Sequence, residues 1–260
     1  ARYGGDEFTI LLPRLAGEPE AAAVAERVIA ALSAPYVVDS IRVSLSASVG
    51  IAVGGPGAGP SDLLREADVA LYHAKANGRN DFCLFESEME EEFLELRRLE
   101  AALKLAIEND ELEVHYQPIV DLGTGQITCC EALLRWHHPE LGPVSPARFI
   151  PLAESTGLSS PISQWVLGQA CAAAAQWPET VSVAVNMSPA LLKDLHLPHM
   201  ILSALYTSGL PARRLELEIT ESVLLEDNQQ SNSLIKEFQK IGLKLSLDDF
   251  GTGYSSLSYL

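Results

Sequence analysis

Leu215-Glu216-Leu217-Glu218-Ile219-Thr220 alternates aliphatic and polar residues without a break, the period of a β-strand with two unlike faces. The same pattern occurs on either side of it. Val181, Val183 and Val185 alternate with Ser182, Ala184 and Asn186, and Leu243, Leu245 and Leu247 alternate with Lys244, Ser246 and Asp248. Helix-length stretches separate these segments, so strand follows helix repeatedly and a parallel sheet is expected. An open doubly wound sheet would want both faces apolar. In a closed barrel the aliphatic face meets the outer helices and the other face points inward, which suits this pattern. The polar groups then converge at the carboxyl ends of the strands, where barrel enzymes keep their sites.

Working outward, Val114 to Asp121 and Ile127 to Trp136 read as the strands that open this α/β region, and are expected to join the parallel sheet. Before them, Ser87 to Asn109 lacks Gly and Pro and spaces Met89, Phe93, Leu96, Leu103 and Ile107 as one amphipathic helix. Packing against its flanks is the simpler role for this helix; signal transmission or a homodimer seam is the sharper one. Further upstream, Phe8 to Leu12 reads as a strand after a Gly4-Gly5 turn, Pro19 to Leu32 as a helix, and Ile41 to Val53 as an extended segment. Ser61 is expected to cap a helix that ends at Asn77-Gly78. The organisation is thus 1–86, a connecting helix over 87–109, and 110–260.

A chain of 260 residues, 47% of them apolar, can bury a sizeable core. It has neither an apolar run of about eighteen residues nor a secretory leader pattern. It begins at Ala1 without a Met and reads as cut from something longer, which leaves upstream sensor or membrane segments outside view. The net charge of -17 argues against a nucleic-acid footprint or an anionic membrane surface. A small phosphate ligand fits if a few Lys and Arg, or a divalent cation, invert the charge locally. Cys83, Cys129, Cys130 and Cys171 form no CxxC pair and read as buried thiols of a reducing, cytoplasmic compartment.

Glu131, Asn186, Glu218, Asp248 and Asp249 fall toward the same strand ends and offer oxygen ligands, a set suited to Mg²⁺ or Mn²⁺. One such group alone reads as a solvated strand end; the five groups together do not, because inward carboxylates are costly unless paired or metal-bound. Arg135 shares a face with Glu131 and is read either as a phosphate grip or as half of a rim ion pair. His137-His138-Pro139 is read as a structural loop past the strand, and His115 as packed or hydrogen-bonded.

Glu131-Ala132-Leu133, with Tyr116-Gln117-Pro118-Ile119 before it and Arg135-Trp136 after it, resembles the defining motif of the EAL phosphodiesterases. The resemblance continues through Asn186-Met187-Ser188, Glu218-Ile219-Thr220-Glu221-Ser222 and Asp248-Asp249-Phe250-Gly251-Thr252-Gly253. It implies a (β/α)8-type barrel that hydrolyses cyclic di-GMP to linear pGpG. It further implies Glu131, Asn186, Glu218 and Asp248 as metal ligands, Asp249 at a second metal, Glu221 as holder of the following loop, and Gln117 and Arg135 as substrate contacts.

Arg2-Tyr3-Gly4-Gly5-Asp6-Glu7-Phe8, with Ala67-Asp68-Val69-Ala70-Leu71-Tyr72 and the Lys75 to Arg79 segment, resembles the second half of a GGDEF domain, a nucleotidyl-cyclase-like α+β fold. Gly4 and Gly5 would let backbone approach a nucleotide, and Asp6 and Glu7 would offer carboxylates to Mg²⁺. Lys75 and Arg79 suit a helix C-terminus by charge alone, and the resemblance gives them the GTP phosphates. The leading expectation is a tandem that turns over cyclic di-GMP and binds GTP; the competing one is a non-catalytic sensor of either nucleotide. The resemblance places further family residues before Ala1 and after Leu260, so the 260-residue chain by itself is expected to show neither activity.

Overall fold

Residues 1–38, 41–55, 57–189, 191–220 and 229–248 are described by this computed structural model. They fall into two units, Ala1–Arg98 and Leu99–Leu260. The first opens on a hairpin of β1 (Arg2–Gly4) and β2 (Glu7–Phe8) around a Gly5-Asp6 turn, with Gly5 in the left-handed region at φ 50°. The strand expected to run to Leu12 stops at Phe8, since the last rung of the ladder is the Thr9 amide on the Ala1 carbonyl. Helix α1 (Glu18–Ser33) starts with Pro at its first turn and buries Ala21 and Ala25. The segment expected to be extended from Ile41 to Val53 divides in two: β4 (Ile41–Val43) pairs with β3 (Tyr36–Val38), and β5 (Val49–Ile51) runs parallel to β6 (Phe82–Leu84).

Helix α2 (Pro60–Ala76) is capped by Gly59 and not by Ser61, because Pro60 has its φ preset for the first helical position and takes it. It ends as expected at Asn77, followed by Gly78 at φ 112°. Gly50 in β5 packs directly beneath α2, and a Cβ there would run into the backbone of Ala67 and Leu71. Backbone cannot move aside as a side-chain tip can. The Gly50→Ala variant should therefore lose about 3 kcal/mol or more of stability in this unit; unfolding in urea at the wild-type midpoint would contradict so close an approach.

Helix α3 (Ser87–Leu105) buries Leu99 and Leu103 in the core of the second unit. It ends four residues before the expected Asn109, in turns that place Asp110 at φ 55°. The second unit continues with β7 (Leu112–Val120), β8 (Ile127–His138), β9 (Gly142–Val144), α4 (Pro146–Thr156), α5 (Ser159–Ala174), β10 (Ser182–Met187), α6 (Leu197–Ser208), β11 (Leu215–Thr220), α7 (Gln229–Lys240) and β12 (Lys244–Asp248). Its six-stranded sheet is ordered β12-β11-β10-β8-β7, with β9 added to β8. Along β8, β10, β11 and β12 the pairing is parallel, with helices in the crossovers, the run of a (β/α)8-type barrel, while β9 is antiparallel to β8.

The expectation of a wholly parallel sheet is corrected at β7, which is antiparallel to β8. Residues 121–126 are too few for a crossover. They form a turn in which the Asp121 carboxylate accepts from the Thr124 amide and hydroxyl, both at 2.8 Å. His137 and His138 are also corrected: they belong to β8 and pair with Pro143 and Gly142 of β9. His138 Nδ1 accepts the amides of Glu140 and Leu141, so the ring shapes the hairpin turn.

The aliphatic faces pack as the alternation requires. Val183, Leu215 and Leu217 are fully buried, as are Phe149, Leu167, Ile201 and Phe238 of the helices. Arg214, just ahead of β11, is buried among them with no carboxylate partner among the described residues. Its guanidinium donates to the carbonyls of Ala174 at 2.7 Å, Pro178 at 3.1 Å and Val181 at 2.8 Å, tying the end of α5 to the start of β10. Of the cysteines, Cys129 and Cys171 are buried as expected, whereas Cys83 and Cys130 are half-buried; all four are free thiols.

Candidate functional site

Register decides which polar side chains share the inner face. Glu131 on β8 lies opposite Ala184 on β10, Asn186 opposite Glu218 on β11, and Glu218 opposite Ser246 on β12. Asn186 Nδ2 donates to Glu131 Oε1 at 2.8 Å, so two expected ligands from different strands meet. One Glu218 carboxylate oxygen is out of solvent contact, and Ser246 Oγ beside it is buried with no hydrogen-bond partner among the described residues. Asp248 is placed by its backbone as the last residue of β12, next to Thr220. Glu221 and Asp249 lie outside the described residues.

Below Glu131 on the same face is Cys129. Burial, and then the nearby Glu216 and Glu218 carboxylates, push its thiol up to about 11, with Lys244 opposing. No three His, Cys, Asp or Glu side chains among the described residues stand close enough to hold a metal. The expected set differs from such a cluster: it counts the Asn186 amide oxygen, Asp248 at the end of β12, and Asp249, which lies outside the described residues. All its donors are oxygens, so the residues present fit a hard divalent ion.

β7 adds to this face from the other side. Gln117 is in register with Glu131, His115 with Leu133, and Glu113 with Arg135. Glu113 is held by His115, whose Nε2 is 3.2 Å from Glu113 Oε2. Arg135 donates Nη1 to the Leu134 carbonyl at 2.9 Å and pairs with no carboxylate among the described residues. On the opposite, helix-facing side of the sheet, Tyr116 stacks edge-on against Trp177, and Trp136 Nε1 donates to Glu111 at 3.0 Å.

In the first unit the structure puts Gly4 at the end of β1, Gly5 and Asp6 in the turn and Glu7 at the start of β2. Arg2 donates twice to the Gly5 carbonyl, at 2.9 and 2.6 Å, which leaves the Asp6 and Glu7 carboxylates exposed. Lys75 is in the last turn of α2 and Arg79 follows it at φ 60°. Among the described residues no hydrogen bond or ion pair joins either cation to the hairpin. The Glu113–His115 pair and the Arg214 anchor are the features that sequence reasoning missed; the period-two run Glu113, His115, Gln117 was the available signal for the first.

No helix among the described residues is long and apolar enough to cross a membrane. The EAL domain family model matches residues 100–260, and the model of the GGDEF diguanylate cyclase domain matches residues 1–81. The whole chain is 44% identical to the uncharacterized protein y4lL of Sinorhizobium fredii, covering 31% of it. It is 41% identical to the bifunctional diguanylate cyclase/cyclic di-GMP phosphodiesterase MucR of Pseudomonas aeruginosa, covering 38% of that protein. The chain thus spans about a third of the length of these relatives. Among solved structures, the PaMucR phosphodiesterase in complex with c-di-GMP superimposes with a TM-score of 0.60 at 39% identity, over 62% of this chain and 67% of the other.

Proposed function

The chain belongs to the EAL domain family and carries a GGDEF segment ahead of that domain, and from this premise we propose that the complete protein carrying it hydrolyses cyclic di-GMP to linear pGpG. The observation that carries the reading is the 2.8 Å contact of Asn186 with Glu131, on the face where Glu218 stands in register with Asn186. Glu131, Asn186, Glu218 and Asp248 would hold Mg²⁺ or Mn²⁺, with Asp249 offered to a second ion. Such an ion, when bound, neutralises the phosphodiester and makes a nucleophile of water near neutral pH.

The chain's own groups do the orienting. Gln117, beside Glu131, presents an amide to the bound phosphodiester, and Arg135 presents its fork to the non-bridging oxygens. The apolar packing of Val183, Val185, Leu215 and Leu217 fixes the strands, so these groups need not reorganise as charge develops. In this reading Glu221 holds the loop that follows Asp249. The test is incubation of the protein with cyclic di-GMP under Mg²⁺, Mn²⁺ and EDTA. Linear pGpG should accumulate with either metal and stop with the chelator. Binding without turnover under both metals would replace the enzyme with a sensor.

For the first unit we infer GTP binding with Mg²⁺ on Asp6 and Glu7, with Lys75 and Arg79 on the phosphates. The exposed turn carboxylates support it. The Asp6→Ala variant should bind GTP with Mg²⁺ at least about tenfold more weakly than wild type in a calorimetric titration. Equal affinities would remove Asp6 from the nucleotide's metal.

A further inference from the structure

The polar face of β7 does not end at Gln117. By alternation and register, His115 and Glu113 continue it toward the rim, because β7 runs opposite to β8 and Glu113 lies across from Arg135. The rim of a parallel barrel is where its ligands enter. Glu113 and His115 are 58% and 54% exposed, so neither packs in the core, and a pair so open adds little to stability. What the 3.2 Å contact does is fix direction: it holds the Glu113 carboxylate to His115 and leaves the Arg135 fork without an acidic partner among the described residues.

We propose that Glu113, positioned by His115, receives the donor edge of a guanine of the bound cyclic dinucleotide. A carboxylate accepts two hydrogen bonds side by side. Guanine alone among the common bases presents two adjacent donors on its Watson–Crick edge, the N1–H and the 2-amino group, and an unstacked base is read on that edge. Gln117 and Glu113 are four residues apart, about 13 Å along the strand. A phosphodiester lodged at Gln117 and Glu131 therefore has Glu113 outward along the same strand, where its base would extend. Glu113 is the specificity residue and His115 the positioning residue.

This rests on the cyclic di-GMP reading above, and the experiment separates the two. Affinities for cyclic di-GMP and cyclic di-IMP, whose base lacks the 2-amino group, are measured by calorimetry with EDTA present so that neither is consumed. Wild type should prefer cyclic di-GMP by about tenfold, as one charge-assisted hydrogen bond allows. E113Q should bring that ratio close to one, H115A should reduce it, and H115Q, which can still donate to Glu113, should restore it. An unchanged ratio in E113Q overturns the assignment while leaving the function intact. Failure of the wild-type protein to bind either ligand overturns the function itself, and the inference with it.

Discussion

Replacing Glu131 by alanine is expected to lower cyclic di-GMP hydrolysis by about a thousandfold or more while leaving the fold in place. Glu131 is the carboxylate that meets Asn186 across the β8–β10 boundary, so its removal takes away a charge from the proposed metal shell and the anchor of a second ligand. Charge stabilisation by a bound metal amounts to several kcal/mol, and about 4 kcal/mol corresponds to a thousandfold in rate. Stability should respond little. The side chain is half-buried and its loss costs one hydrogen bond, that with Asn186. The readouts are pGpG formation with Mg²⁺ and thermal unfolding of the same preparation. Turnover within tenfold of wild type, with unchanged unfolding, would rule Glu131 out as a ligand.

Arg214→Ala should have the largest effect on stability, about 3 to 5 kcal/mol. Its guanidinium is buried and satisfies carbonyls from α5, the loop after it and Val181, so truncation strands several buried acceptors at once. Each hydrogen bond to a charged donor contributes about 1.5 to 3 kcal/mol, and an acceptor left unsatisfied costs about 1 to 3 kcal/mol. For a domain of this size the midpoint of thermal unfolding should fall by about 10 °C. Arg214→Lys should recover only part of the loss, because one ammonium cannot span the same carbonyls. A midpoint within two or three degrees of wild type for the alanine variant would mean that water replaces the guanidinium.

The inner face of the barrel strands was legible because two-sided alternation is a direct image of burial. The limits of β11 and β12 follow from Leu215 to Thr220 and Lys244 to Asp248 alone. Strand direction was not legible at β7, since pairing sense depends on the connection and the Asp121–Thr124 turn carries a signal that hydropathy does not. The cap of α2 was misread for a related reason: Ser61 is a good cap in isolation, but the backbone constraint of Pro60 decides the position. Candidate ligands could be named from strand phase, whereas the Glu131–Asn186 contact needed register between strands 55 residues apart. The Glu113–His115 pair went unseen because the strand was expected to begin at Val114, one residue after the carboxylate that matters.

The reversed first strand also bears on the order in which the second unit assembles. Six residues separate β7 from β8, whereas residues 139–181 intervene between β8 and its next main neighbour β10. Closing the shorter loop costs about 2 kcal/mol less chain entropy. The hairpin is thus a contact of far lower sequence separation than the parallel pairings of the sheet, the kind that forms before crossovers can repay their ordering cost. It brings together the inner faces of β7 and β8, and so Gln117, Glu131, Glu113 and Arg135, before any parallel strand has docked. This inner wall is in this sense the template on which the rest of the sheet is laid.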